Sequence, residues 1–275
     1  MTLQRDASGR LHITSPLMGE SLMRKTLLAE TETEHLFRPM PNLAVIKIGG
    51  QSVMDRGRKT LLPVLEELVA AQPQHDMLLL TGGGTRSRHA YAIALDLGMP
   101  TGVLAELGKA ISEQNAIMVA LLLAPHGGVK IAHDDLVKLP SYLQLGILPV
   151  MHAMPPYGLW ERPPEVGRIP PHRTDVGTLL TAEVLGAQRC ILIKDERGLY
   201  NDDPKRNPAA AFIPEIEVAE LLARDLPDLA VERAMLDILA RARSVHEVLL
   251  VNGRERGAIT AALNGENPGT RIYRA

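Results

Sequence analysis

The chain has 275 residues, 45% of them hydrophobic and only 3% aromatic, and its 30 basic and 32 acidic side chains leave a formal net charge of −2. That balance lacks the basic footprint of a nucleic-acid or anionic-membrane protein, and so few aromatics leave little with which to stack bases. The single cysteine, Cys190, excludes an internal disulfide and a cysteine zinc cluster. No stretch reaches the roughly 18 apolar residues of a spanning helix, and the start has no charged-then-apolar signal pattern. The expectation is a cytoplasmic protein with a small ligand and a core of Leu, Val, Ile, Ala and Met.

Residues 1–41 are mixed and polar, close on Pro39 and Pro41, and read as an arm. Leu43–Ile48 then forms a continuously apolar run broken only by Lys47, the pattern of a buried strand. The run ends in Gly49-Gly50, where the absence of Cβ atoms lets successive amides point at an anion. Gly57–Ala71 places Leu61, Leu62, Val64, Leu65, Leu68 and Val69 on one helix face. Met77–Leu80 is a second strand. It runs into Thr81-Gly82-Gly83-Gly84-Thr85-Arg86-Ser87-Arg88, which opens a helix through Leu97. Strand, glycines and helix thus occur twice, and each unit directs helix N-terminal amides to one sheet edge. Either alone is also compatible with an ordinary glycine turn; the pair, with Arg86 and Arg88, reads as an anion site.

A helix pattern over 109–124 precedes short strands at 129–132 and 147–151, and this alternation predicts an α/β fold with a mostly parallel sheet. Residues 154–171 hold six prolines and the only tryptophan, Trp160, and mark a rigid loop between lobes. Beyond it come a helix over 175–187, a strand over 190–194, helices near 216–224 and 231–243, and a strand over 248–251. The division expected is an arm (1–41), a cavity or acceptor lobe (about 42–165) and a nucleotide lobe (about 170–275). In the last of these, Lys194 ends a strand before a glycine turn and Tyr200, Asp202, Asp203 and Pro204. The stretch suits a nucleotide pocket, with Tyr200 against the base and Asp203 on the sugar, and equally an acidic turn capped by Asp203. Thr174 and Asp175 open a helix; either caps its amides, or the Asp175 carboxylate holds a phosphate-binding lysine.

The ordered set K-I-G-G (47–50), T-G-G-G (81–84), T-D (174–175) and G-L-Y-x-x-D-P (198–204) resembles the amino acid kinase superfamily near the bacterial uridylate kinases, over residues 43 to about 273. The resemblance implies a three-layer α/β/α sandwich with a mostly parallel central sheet, and oligomers. It also implies ATP phosphates at Lys47, Gly49, Gly50, Gly83, Gly84 and Arg88, the nucleoside near Lys194, Tyr200 and Asp203, and Asp175 organising Lys47. Lys47 and Asp175 are the catalytic candidates.

More closely, V-I-K-I-G-G-Q-S-V-M-D-R-G-R, M-P-P-Y-G-L-W-E-R-P, R-I-P-P-H-R-T-D and L-L-V-N-G resemble the molybdenum storage family. That resemblance implies uptake of molybdate or tungstate with ATP and Mg2+, and polyoxometalate clusters inside a homo- or hetero-hexamer of related subunits. The M-P-P-Y-G-L-W region is similar to one subunit type. His133, Pro171-His172 and V-E-R-A-M-L-D are similar to the other. Ala105 stands where uridylate kinases place an acceptor-binding aspartate, Arg197-Gly198 replaces D-G, and residues 232–237 hold no counterpart of a late lysine. ATP binding is therefore expected more strongly than phosphotransfer to a metabolite. A uridylate kinase-like phosphotransferase and a non-catalytic nucleotide-binding regulatory subunit are the alternatives. His133, His152 and His172, at strand ends or in loops, are the candidates for oxoanion or metal contacts, since an imidazole can donate to an oxoanion or ligate a metal.

Overall fold

The computed structural model describes the chain except for residues 1, 6, 10, 15–22, 24 and 31–35. Two compact units are present, Met1–Phe37 and Arg38–Ala275. In the first, β1 (Thr2–Arg5) pairs antiparallel with β2 (Leu11–Thr14), and α1 (Lys25–Glu30) follows. The mixed polar composition of this stretch predicted none of these elements. Parts of the arm expected over 1–41 lie outside the described residues.

The second unit is built on an eight-stranded sheet. Its strands are β3 (Ala44–Ile48), β4 (Met77–Thr81), β5 (Gly128–Lys130), β6 (Leu148–His152), β7 (Arg189–Lys194), β10 (Glu215–Glu217), β11 (Glu247–Asn252) and β12 (Thr270–Tyr273). The order is β10-β12-β11-β7-β3-β4-β6-β5, and only the β11–β12 pairing is antiparallel. A small ribbon of β8 (Leu199–Tyr200) and β9 (Phe212–Ile213) stands apart.

Both faces of the sheet are covered, as continuously apolar strands require. Side chains alternate across each strand, so Val45, Leu80, Met151, Cys190 and Leu192 pack on one face with α6 (Thr174–Leu185), α7 (Val218–Arg224) and α8 (Arg233–Leu239). Ile46, Ile48, Leu79, Ile191 and Ile193 pack on the other with α2 (Arg58–Ala71), α4 (Thr101–Leu122) and α9 (Ala258–Leu263). The result is a three-layer α/β/α fold with a largely parallel sheet. Short α3 (Thr85–Asp96) and α5 (Leu139–Gln144) complete the set. Cys190 is fully enclosed in this core, and burial pushes its thiol up to about 12.

Three helix starts differ from those the sequence predicts. The helix expected from 109 begins at Thr101, after Pro100, so Ala105 and Gly108 lie inside it. The helix expected near 216 starts at Val218, because Glu215–Glu217 is recruited as a parallel edge strand against β12, and the helix expected near 231 starts at Arg233. No described helix is long and apolar enough to cross a membrane.

Candidate functional site

The strand order places the first glycine unit at a reversal of direction. From β3 the chain builds outward through β4, β6 and β5; from the adjacent β7 it builds the opposite way through β11 and β12. Connections diverge there, leaving a crevice beyond the carboxyl ends of the strands. A cleft of about 500 Å³ opens at this point.

Residue parity fixes what points into it. Lys47 shares the face of Val45, and Lys194 the face of Cys190 and Leu192, so both lysines project towards the α6 side. Asp175, in the first turn of α6, meets them. Its carboxylate forms an ion pair with Lys47 Nζ and accepts from Lys194 Nζ at 3.2 Å through both oxygens. Lys47 and Asp175 are only 5% and 3% exposed, so the charges compensate one another away from bulk water. Burial alone would raise the Asp175 carboxyl, but Lys194 and Lys47 outweigh it and hold the group well below the usual carboxylate range. Burial lowers the Lys194 ammonium, and Asp175 partly offsets that.

Asp175 is therefore not the cap of its own helix. Arg173 occupies the N-cap position of α6 without a side-chain cap. The open amides are satisfied by Glu232, which accepts from the backbone N–H groups of Arg173 at 3.0 Å, Asp175 at 3.1 Å and Val176 at 3.1 Å. Burial and the neighbouring Asp175 charge raise the Glu232 carboxyl.

The glycine loops form the floor. A Cβ on Gly50 would collide with the backbone of Gly84, so the two loops touch main chain to main chain. Gly84 also adopts φ +74°, a left-handed conformation that other residues rarely take, against the Asp55 carboxylate. Asp55 accepts the Thr85 N–H at 2.5 Å and so caps α3 from the other loop. Arg86 turns away, onto Gln114 and Asn115 of α4. At the rim, Arg56 pairs with Asp195, and Lys205 reaches both Asp195 at 3.8 Å and Glu196 at 3.0 Å.

Lys47, Gly49, Gly50, Gly83, Gly84, Arg88, Asp175, Lys194, Tyr200 and Asp203 all line this cleft. Tyr200 stands on the β8–β9 ribbon, edge-on to Phe212 with 5.5 Å between centroids. Asp203 accepts the Lys205 N–H at 2.9 Å, so it caps its own turn. Glu232, Arg173, Asp55 and the Arg56–Asp195 pair were not among the expected site residues. Their only sequence signal is an acid or a base beside a helix start or, for Asp195, an acid just past the end of β7.

The three candidate histidines do not converge. His133 and His152 stack edge to face with centroids 4.5 Å apart, outside the cleft lining. Burial lowers both, and His152, further opposed by His133, falls to about 4. Its Nδ1 is buried without a hydrogen-bond partner. Lys109 and Lys130 act on the pair, with Glu113 opposing them and bonded to Lys130. His172 instead pairs with buried Glu161 at 2.8 Å and faces Tyr157. Among the described residues no three His, Cys, Asp or Glu side chains form a metal-holding group.

Diverging parallel strands, paired glycine loops and a lysine–aspartate–lysine centre define an α/β protein of the kinase type. The amino acid kinase family model matches residues 42–252, and the chain belongs to that family. Within it, the chain is 46% identical over 266 residues, 97% of its length and 98% of the other's, to the molybdenum storage protein subunit beta of Azotobacter vinelandii. It is 29% identical to a uridylate kinase of Thermofilum pendens, covering 82% of this chain and 94% of that one. The fold is shared with the crystal structure of uridylate kinase from Archaeoglobus fulgidus, with TM-score 0.65, 22% identity, and 83% and 99% of the two chains covered.

Proposed function

We propose that this chain is an ATP-binding subunit of an oligomeric store for molybdate or tungstate. The observation that carries the reading is the near full-length 46% identity to a molybdenum storage subunit. The cleft supports its nucleotide half: Lys47 and Lys194 supply positive charge, the glycine loops supply amides, and Asp175 fixes the lysines between them. Magnesium would come with the nucleotide and neutralise phosphate charge there. It commonly rests on phosphate oxygens and one or two carboxylates, which suits a cleft whose rim holds Asp195, Glu196, Asp202 and Asp203 and no all-protein cage. The oxoanion half rests on His133 and His152 near the Lys109–Glu106 and Lys130–Glu113 ion pairs, a polar group in which one buried imidazole nitrogen lacks a partner. His172, bonded to Glu161, supports it less.

In this reading the subunits close into a cytoplasmic hexamer that holds polyoxometalate clusters, the arm crosses a subunit boundary, and ATP hydrolysis drives uptake or condensation. Incubation with molybdate and ATP followed by gel filtration and elemental analysis should leave several molybdenum atoms per chain on the oligomer. Metal content no higher than without ATP, and far below one atom per chain, would defeat it.

The similarity to uridylate kinases favours a second reading, nucleoside monophosphate phosphorylation. Ala105, buried within α4, stands against it, because a methyl group cannot bind an acceptor hydroxyl. Protein given ATP, Mg2+ and UMP should form no UDP; turnover of about one per second or faster would establish the kinase instead.

A further inference from the structure

Asp175 can neutralise Lys47 and Lys194 only while the first turn of α6 is held where it is, and neither the N-cap residue nor any side chain of α6 satisfies the amides of that turn. Glycine follows at Gly177, Arg173 gives no side-chain cap, and Thr178 bonds back to the Thr174 carbonyl. The fixing comes from residue 232, which is 57 positions away from Asp175 in the chain. The exchange is reciprocal. Glu232 takes the N–H groups of Arg173, Asp175 and Val176, while its own N–H donates to Asp175 Oδ2 at 3.3 Å. Arg173 Nε adds an ion pair at 3.7 Å. Glu232 is 8% exposed, and residues 228–231 that lead to it line the same cleft as the lysines.

We propose that Glu232 is a positioning residue: it locks the 228–232 segment to the α6 N-terminus and thereby sets Asp175 between the two phosphate-side lysines. Any ligand that presses on residues 228–231 then moves Asp175, and with it the charge state of the lysines. A carboxylate suits this role because its two oxygens carry three amides, whereas a glutamine presents an NH2 where an acceptor is needed. The inference rests on reading the cleft as a nucleotide site, but its primary test does not.

The test is trace acetylation of Lys47 and Lys194 in the full-length protein without nucleotide or oxoanion, read by mass spectrometry over a pH series. In Glu232→Gln, withdrawal of Asp175 leaves the two ammonium groups facing each other, so one sheds its proton more readily and is labelled several-fold faster. Asp175→Asn should do the same, and the double variant should be labelled no faster than Asp175→Asn alone. ATP affinity of Glu232→Gln should fall at least about tenfold, the loss expected for a displaced charged partner, with a smaller change for uncharged adenosine. Should Glu232→Gln fail to fold, Glu232→Asp, which keeps the charge at shorter reach, carries the same readouts. Wild-type lysine reactivity in a variant with a lowered melting temperature would reduce Glu232 to a helix cap and overturn the proposal. So would labelling effects that add in the double variant, since they would mark Glu232 as an independent charge. Coupled lysines in a protein that retains no molybdenum would defeat the storage reading alone.

Discussion

Lys47 and Asp175 lie 128 residues apart in the chain and form one buried ion pair. The pair exists because strand parity turns Lys47 towards α6 and because α6 begins beside the carboxyl end of β3. Lys194 joins from the neighbouring strand, so three charges meet at the base of the cleft, two of them buried and Lys194 part-buried. Such an arrangement is costly unless every charge keeps its partner, and the variants below exploit that cost.

Lys47→Ala removes the deeper cation but leaves Lys194 on Asp175, so the fold should survive with a loss of about 1–3 kcal/mol. Triphosphate affinity, measured by calorimetry, should fall by about 100-fold or more, since a charge-assisted contact is lost without a substitute. Unchanged ATP affinity and unchanged phosphate release would take Lys47 out of the site.

Asp175→Asn should destabilise more, by roughly 3–5 kcal/mol, because two ammonium groups then face each other in a buried site. The pH dependence follows from the direction of the shift. With its pKa depressed in the folded state, Asp175 contributes stability above the ordinary value of 3.8, and that contribution is lost as pH falls through the folded value. Chemical denaturation in the acid range should show a steep decline in the wild type that Asp175→Asn lacks. Equal acid slopes would contradict the pairing.

For the His133–His152 pair the window is higher. His152 titrates near 4 in the folded chain against 6.5 for an ordinary histidine, so unfolded chains bind protons that the native state refuses. Stability should therefore drop as pH falls from 6.5 towards 4, by on the order of 3 kcal/mol from this group. His152→Gln should flatten that decline in urea titrations. An oxoanion bound at the pair would raise both imidazoles, so calorimetry in buffers of different ionisation enthalpy should detect proton uptake on molybdate binding in the same window. Binding with no proton exchange would place the oxoanion elsewhere.

Gly84→Ala puts a methyl group on a backbone at φ +74° and against the Asp55 carboxylate. A cost of about 1–3 kcal/mol in stability is expected, together with weaker nucleotide binding as the two glycine loops separate. Gly57, also left-handed at φ +66° but with open space around it, is the control. Gly57→Ala should carry the backbone strain while leaving nucleotide affinity near wild type; an equal loss of affinity would mean that the loop contact at Gly84 is irrelevant.

Much of the architecture was legible in the residues themselves. Continuous apolar runs at 43–48, 77–80 and 190–193 state that strands are buried on both faces, and the glycines after two of them mark where backbone must approach backbone or anion. Those are local signals, carried by side-chain size and by the absence of Cβ; the roles expected for Lys47, Arg88, Asp175, Lys194, Tyr200 and Asp203 come instead from the family resemblance of the ordered motifs. The tertiary structure decided what no local pattern encodes. It chose between two uses of Asp175, since capping needs only the next turn of chain whereas bridging Lys47 and Lys194 needs two strands brought together by the sheet. It recruited Glu232, a lone acid before α8, to cap a helix 57 residues away. It also separated His172 from His133 and His152, which sequence had grouped by type and by their places at strand ends or in loops: partners across space are set by strand order and helix placement, and a one-dimensional pattern records neither.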